Sequence, residues 1–507
     1  MVKVQTGIAI CCALAMSVSA AWADTTRNIK VAAPWEISGP DPAVNGYIFL
    51  RMGVMETLVD VADSGALKPG LATEWKANTD GHIWRFRIRE ASFHDGSPVT
   101  PAAVAAVLSR AIYKPGPFGK VPVESVTAEP GTVVIKLSAP FAALPSVLAH
   151  SSTVIPAPAA FSKDGKVTKA IGSGPFAVTT LAPPQKLETS RFDSYWGTPA
   201  TIESATYTAA SRAETRALLA ESGDADLVFT LDAPGYKRLG AVDNIEAIAV
   251  PIPRVMLLKV NAGHAALSSA KTRLALSLAI DRAGIAAGIF RFPDASATQL
   301  FPPILAGWHD RSLEAFAYAP ERAKSLLSKQ GWVPGSDGIL TRDGKRFSLT
   351  VRTFPDRPEL PLVAAALQDQ WKAIGVELNV SVASYTEIPA GHKDGSLELA
   401  LFARNYGLTP DPIGTVQTDF RSGGSDWGTM NWNAAAVADA VVKIAATSDS
   451  AIRAPLIKQV ASAVQRELPL IPILWYQHTV AVSKRLEGVV VDPLERDYGL
   501  DRVRWAK

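Results

Sequence analysis

The sequence predicts a mixed α/β protein built as two lobes joined by two chain crossings. Three observations carry this expectation. Residues 24–250 hold short strands with interspersed helices, and residues 251–474 restart in a strand–helix–strand–helix order. The run Ile471–Val482 then returns to strand character, so that 475–507 can run back into the first lobe.

In chain order, Ile29–Ala32 reads as a short strand, followed by the turn-rich Ser38-Gly39-Pro40-Asp41-Pro42 and a helix from about Asn45 to Leu58. His82–Arg89 is a strand with a polar face, and Trp84 and Arg85 shift its phase as a bulge would. Thr100-Pro101 has the signature of a helix start, with threonine as cap and proline in the first turn. Val133–Leu137 is another strand. In the second half, Arg254–Asn261 is a strongly apolar strand and Thr272–Ala287 a helix. A strand at Arg346–Val351, a helix at Pro361–Ile374 and a strand at Val376–Val380 follow. Leu397–Phe402 is apolar throughout, as a central parallel strand is. There is no internal repeat and no low-complexity tract.

Composition narrows the function. With 507 residues, 48% hydrophobic and 20% charged, the chain is an ordinary globular protein long enough for several domains. Its 51 basic residues nearly balance 48 acidic ones and form no long run, which argues against a nucleic-acid partner. Both cysteines, Cys11 and Cys12, lie within the first 23 residues. That stretch has an early Lys3, an apolar run from Gly7 to Val18 and the ending Ala21-Trp22-Ala23, the layout of a secretory signal cleaved before Asp24. The run is too short for a good transmembrane helix. The exported chain would then hold no cysteine, which excludes thiolate catalysis, iron–sulfur clusters and cysteine–zinc sites.

Catalytic motifs are scarce. Gly119-Lys120, Gly165-Lys166 and Gly344-Lys345 lack the Ser or Thr that completes a phosphate loop, and no Gly-x-Ser-x-Gly elbow occurs. The nearest histidines, His82 and His94, are twelve positions apart, too far for a local zinc motif. Ser268-Ser269-Ala270-Lys271 matches the Ser-x-x-Lys of penicillin-recognising enzymes, but the companion motifs are missing. An exported serine hydrolase rests on Ser268 and Lys271 alone; the simpler reading is that Ser268 or Ser269 caps a helix starting near Lys271.

Several segments taken together resemble one family. They are Leu71–Trp75, Trp84–Arg89, Phe93-His94-Asp95-Gly96-Ser97-Pro98-Val99-Thr100, Gly172-Ser173-Gly174-Pro175-Phe176, Tyr195-Trp196-Gly197, Arg273–Arg282, Ala323–Leu327 and Gly331-Trp332. In this order and spacing the chain is similar to the family 5 extracellular solute-binding proteins of the oligopeptide, dipeptide and nickel ABC importers. The resemblance implies the periplasmic binding protein fold of the large (type II) peptide- and nickel-binding class. It implies residues 1–23 as signal peptide, 24–250 as the N-terminal part of lobe I, 251–474 as lobe II and 475–507 as the return to lobe I. A solute would be held in the cleft between lobes and delivered to an inner-membrane permease and ATPase complex, with no reaction catalysed and no cofactor beyond a metal chelate as cargo. The protein would be a periplasmic monomer. The motif residues themselves read as turns and core. A receptor or chaperone role would use the same lobes.

The resemblance also bears on the cargo. Peptide-binding members carry an acid shortly before an Asp-Pro step, to pair with the peptide amine. Here the step is Asp411-Pro412, and Leu408 stands where the dipeptide binders have aspartate. Nickel-type members lack that acid and place an aromatic where Tyr406 stands. Candidate cleft residues are Arg404, Tyr406 and Asp411 after the strand Leu397–Phe402, Tyr47 and Arg51 on the first helix, Arg110 near the end of another, and Trp427 and Trp432 in and beside the Gly-rich segment 422–430. Arginines and aromatics suit a peptide carboxylate, a nickel or other metal chelate, or an opine-like anion.

Overall fold

A computed structural model describes residues 28–114, 116–355 and 357–506, so the expected signal segment lies outside the described residues. One ten-stranded sheet runs through the molecule. Its order is Glu377–Val382, Ser348–Thr353, Leu399–Asn405, Ile245–Val260, Leu470–Ser483, Leu227–Phe229, Asn28–Ala33, Ser204–Ala209, Lys186–Arg191 and Phe176–Ala182. The two long central strands, Ile245–Val260 and Leu470–Ser483, pair antiparallel and hold the halves together. Pro251-Ile252-Pro253 interrupts this pairing, and the register shifts between Pro251 and Val255. Proline offers no N–H to a ladder, so two prolines in three residues break the pairing here. Residues 480–482 then pair with Leu227–Phe229, while 254–260 pair with Leu399–Asn405. The long strands thus change neighbours where their own pairing breaks.

Local chemistry explains most element boundaries. The first helix spans Pro42–Arg51, capped by Asp41, whose Oδ1 accepts from the Ala43 amide at 2.9 Å. It ends before Leu58 because Gly53 turns the chain at φ 63°, a conformation glycine adopts without strain. Thr100 caps the helix Pro101–Ala111, with Oγ1 accepting from Ala103 at 3.2 Å. The helix expected over Thr272–Ala287 is broken: Ala270–Leu278 stops, and Asp281 caps a new turn by accepting from Gly284 at 2.8 Å. Leu399–Asn405 is parallel to Ser348–Thr353 on one side but antiparallel to Ile245–Val260 on the other. Ser269 caps the helix at Ala270, its Oγ accepting from the Lys271 amide at 3.3 Å, and Ser268 is exposed. The Ser-x-x-Lys spacing is therefore a helix start.

A separate four-stranded sheet, Ala72–Ala77, Ile83–Ile88, Thr132–Leu137 and Val123–Glu129, shares its core with the helices Ala435–Ala446 and Ser450–Glu467. Trp84 and Phe86 point into that core and Arg85 and Arg87 out of it, a strict alternation that needs no bulge within the strand. The first half of the chain also builds a core gathered around Ile29, Phe49, Tyr207 and Val480, and a smaller one around Ala217, Val228 and Leu239. Between the four-stranded sheet's core and that around Ile29 the motif residues meet at one junction. The partly buried Glu56 carboxylate accepts from Ser173 Oγ at 2.7 Å and from Trp196 Nε1 at 2.9 Å. His94 bonds the Gly172 amide at 3.2 Å and the Gly174 carbonyl at 3.0 Å. A Cβ at Gly172 or Gly174 would run into the Val54 or Gly53 carbonyl, which is why both are glycine. No described helix is long and apolar enough to cross a membrane.

Candidate functional site

The break in the central ladder opens into a cavity of about 1240 Å³. Its floor is the crossover itself, Ile252 and Arg254 on one long strand and Tyr476–Thr479 on the other. Loops and helix ends around it supply the walls, and Ser211, Thr230 and Asp232 sit just past a strand's end, where the ladder no longer uses the backbone. The charge is unbalanced: Arg216, Arg254, Arg291, Arg357 and Arg404 face Asp232, Glu359 and Glu495.

The arginines differ in what they have left to offer. Arg216 gives its donors to the carbonyls of Ala210, Ser211, Phe229 and Thr230, so it staples the wall rather than presenting charge. Arg404 grips the fully buried Asp419 through Nε at 2.8 Å and Nη2 at 2.5 Å, leaving Nη1 with no protein partner among the described residues. Arg254 Nη2 pairs with Glu495 Oε2 at 2.6 Å. Arg357 stands 4.0 Å from Glu359, whose Oε1 accepts the Tyr476 hydroxyl at 2.7 Å. Arg291 pairs with no carboxylate among the described residues. Asp232 is occupied as a helix cap, accepting from Gly235 at 2.9 Å.

Electrostatics follow burial and neighbours. Burial alone would raise the Glu495 carboxyl, but the charge of Arg254, with that of Arg51 and Arg357, outweighs it and holds the group down to about 2. His478 beside it is pushed down to about 4, chiefly by burial, so its imidazole is neutral. Neither of its ring nitrogens has a hydrogen-bond partner. The backbone is strained here as well: Thr230, Arg291 and Glu495, at φ 61°, 60° and 56°, all line the cavity. Left-handed backbone at a β-branched or long side chain costs about 1–3 kcal/mol and gathers at ligand sites.

Of the residues expected from the sequence, Arg404 and Trp427 line the cavity. Trp427 packs edge-on against Phe402 at 5.0 Å, and Lys259 Nζ holds its loop through the Ser425 and Asp426 carbonyls. The other six do not line it, each for a physical reason. Tyr406 is fully buried, packed edge-on against Phe301 at 5.2 Å, its hydroxyl near Asp419 in a geometry short of a hydrogen bond, so core packing takes it up. Asp411 is taken up by Arg453 at 2.5 Å and by the Ile413 amide at 3.0 Å. Trp432 is core, donating Nε1 to Glu467 at 2.8 Å. Arg110 lies over Phe161 at 4.4 Å. Tyr47 packs on Trp35, and Arg51, stacked 4.0 Å over Trp35, donates Nε to the Glu495 carbonyl at 2.6 Å. Arg51 therefore supports the cavity wall from behind.

Sequence reasoning missed Arg254, Arg357, Tyr476, His478 and Glu495. Arg357 was within reach: it follows the strand Ser348–Thr353 as Arg404 ends Leu399–Asn405, and the same strand-end rule selects both. Glu495 sits in the charged stretch Asp492–Asp497, with nothing in the sequence to single it out. Among the described residues, no cluster of three His, Cys, Asp or Glu side chains could hold a metal ion.

Comparison with known proteins gives a consistent picture. The family model for bacterial extracellular solute-binding proteins, family 5 (middle region), matches residues 66–427. A glutathione-binding protein GsiB of Escherichia coli is 26% identical over 512 residues, covering 95% of each chain. The crystal structure of a nickel ABC transporter protein from Bacillus halodurans superposes with a TM-score of 0.81 at 24% identity, over 94% of this chain and 99% of that one. NikA from Brucella suis in complex with Fe(III)-EDTA gives 0.84 at 20% identity, over 94% and 100%. These structures share the two-lobed fold.

Proposed function

The chain belongs to the bacterial extracellular solute-binding proteins of family 5, and from that premise we propose that it captures a small carboxylate-bearing solute in the cavity at the crossover. It hands this solute, a short peptide or an anionic metal chelate, to an ABC permease and ATPase complex. The supporting observation is the excess of guanidinium. Arg291 and Arg357 and the free Nη1 of Arg404 surround a space whose acids are mostly engaged by the protein itself. A carboxylate there gains charge-assisted, two-pronged hydrogen bonds that a neutral solute cannot return. Both cargo forms suit the relatives, one named for glutathione and another solved with Fe(III)-EDTA.

The lobes in this reading meet at the break after Pro251, with 24–250 and 475–507 on one side and 251–474 on the other. The paired prolines and the change of strand neighbours support a bend there, and closure on the solute would bring together the faces of 24–250 and 251–474 that share one core in this structure. Export through residues 1–23 places the protein in the periplasm.

Native mass spectrometry of protein purified from its own periplasm tests the reading. The expected adduct carries carboxylates, and metal isotopes in it separate a chelate from a peptide. A cationic or sugar adduct would overturn the proposal.

A further inference from the structure

One acid lining the cavity, Glu495, keeps a carboxylate oxygen that the protein itself does not engage. Glu495 and Arg254 are mostly buried, with side chains 10% and 17% exposed, and they share one bond between Oε2 and Nη2. The remaining atoms, Glu495 Oε1 and Arg254 Nε and Nη1, take part in no hydrogen bond among the described residues. They are also absent from the polar atoms sealed without a partner, so they open onto the cavity that both residues line. The pair therefore presents an acceptor and a donor edge side by side.

The position of Glu495 is fixed by its surroundings. Its left-handed backbone is held by its own amide to the Asp492 carbonyl at 3.0 Å and by Arg51 Nε to its carbonyl at 2.6 Å. The neutral His478 adds no positive charge beside it. Along the same wall the Tyr476 ring lies 5.8 Å from the Arg254 guanidinium and 5.5 Å from that of Arg357.

We propose that the Arg254–Glu495 pair receives the zwitterionic α-amino-acid head of the solute, Glu495 Oε1 taking the ammonium and Arg254 the carboxylate. A second carboxylate of the same solute reaches Arg357, which shares the Tyr476 ring with Arg254. This rests on the carboxylate-solute reading above and narrows it: a solute with anionic groups only would cover the pair and leave Glu495 Oε1 desolvated without a donor. An amine blocked by acylation could not offer the charge that Glu495 needs.

The test uses the mature protein, stripped of endogenous solute, and native mass spectrometry. One probe is an equimolar mixture of γ-glutamyl di- and tripeptides, glutathione among them, whose γ-linkage leaves the α-ammonium and α-carboxylate free on one carbon. The second is the same mixture after N-acetylation, and the third is Fe(III)-EDTA. Retention from the free-amine mixture alone is expected, with at least a tenfold loss in Glu495→Gln. Glu495→Asp, which keeps the charge, should retain part of that affinity, and matching thermal melts show that both variants fold. Equal retention of free and acetylated species, or indifference to Glu495→Gln, overturns the head-group assignment and leaves the carboxylate reading standing. Retention of Fe(III)-EDTA alone does the same. Retention of none of the three overturns both.

Discussion

Arg404 binds Asp419 edge to edge, Nε to Oδ2 at 2.8 Å and Nη2 to Oδ1 at 2.5 Å, with the aspartate fully buried and the arginine at the cavity wall. One guanidinium thus both neutralises an interior carboxylate and faces the solute space. Burial pushes the Asp419 carboxyl up, and Arg404 opposes that shift. Removing a partner from such a pair leaves an uncompensated buried charge. Arg404→Ala should destabilise the fold by about 3–5 kcal/mol. The double variant Arg404→Ala, Asp419→Ala should lose less, as measured by urea unfolding. A double variant no more stable than the single would show that the pair is not what Arg404 contributes to the fold.

Trp427 and Trp432, five positions apart, should separate binding from stability. Trp427 lines the cavity and is only partly buried, so Trp427→Ala should weaken the copurified solute about tenfold, roughly 1.4 kcal/mol, with a small change in melting temperature. Trp432 is buried and bonded to Glu467, so Trp432→Ala should cost about 3–5 kcal/mol of stability. Calorimetric titration and thermal melts of both variants check the contrast, and the reverse pattern would refute it.

The Glu56 junction should make stability depend on pH. Burial raises this carboxyl to about 7, against the partial opposition of Ser173, Trp196, Tyr195 and Arg89. The folded protein therefore prefers Glu56 protonated. Its contribution is full below the unfolded value near 4.5 and falls away as pH rises from there to about 7, by about 3 kcal/mol. Glu56→Gln keeps an acceptor for Trp196 without the charge. Relative to wild type, the variant should gain stability steadily between pH 4.5 and 7, in melts recorded across that range. A parallel pH profile for the two proteins would exclude the assignment.

Gly172→Ala and Gly174→Ala place a methyl against the Val54 and Gly53 carbonyls, which are backbone and have little room to yield. Each should lose about 1–3 kcal/mol by overpacking while leaving solute affinity intact in the folded fraction, since neither glycine lines the cavity. A lost affinity with unchanged stability would place this junction in the binding machinery instead.

The sequence by itself determined the mixed α/β class, the family and most of the elements, because these follow from short-range periodicity, caps and turn residues that the chain carries locally. Thr100 and Pro101 start a helix wherever that segment is placed, and the apolar Arg254–Asn261 reads as a strand before its partners are known. The same locality misled at Tyr406 and Trp432, whose residue types suit a cleft but whose side chains turn into the core, and at Arg51 and Asp411, which other parts of the chain engage through Glu495 and Arg453. Only the tertiary structure brings the residues of the proposed site together. Arg254 and Glu495 are 241 positions apart, and Arg357 comes from a third segment. They meet because two prolines break the central ladder and the chain's last segment folds back beside the break, so the charge of the cavity is a property of the assembly and of no single stretch of sequence.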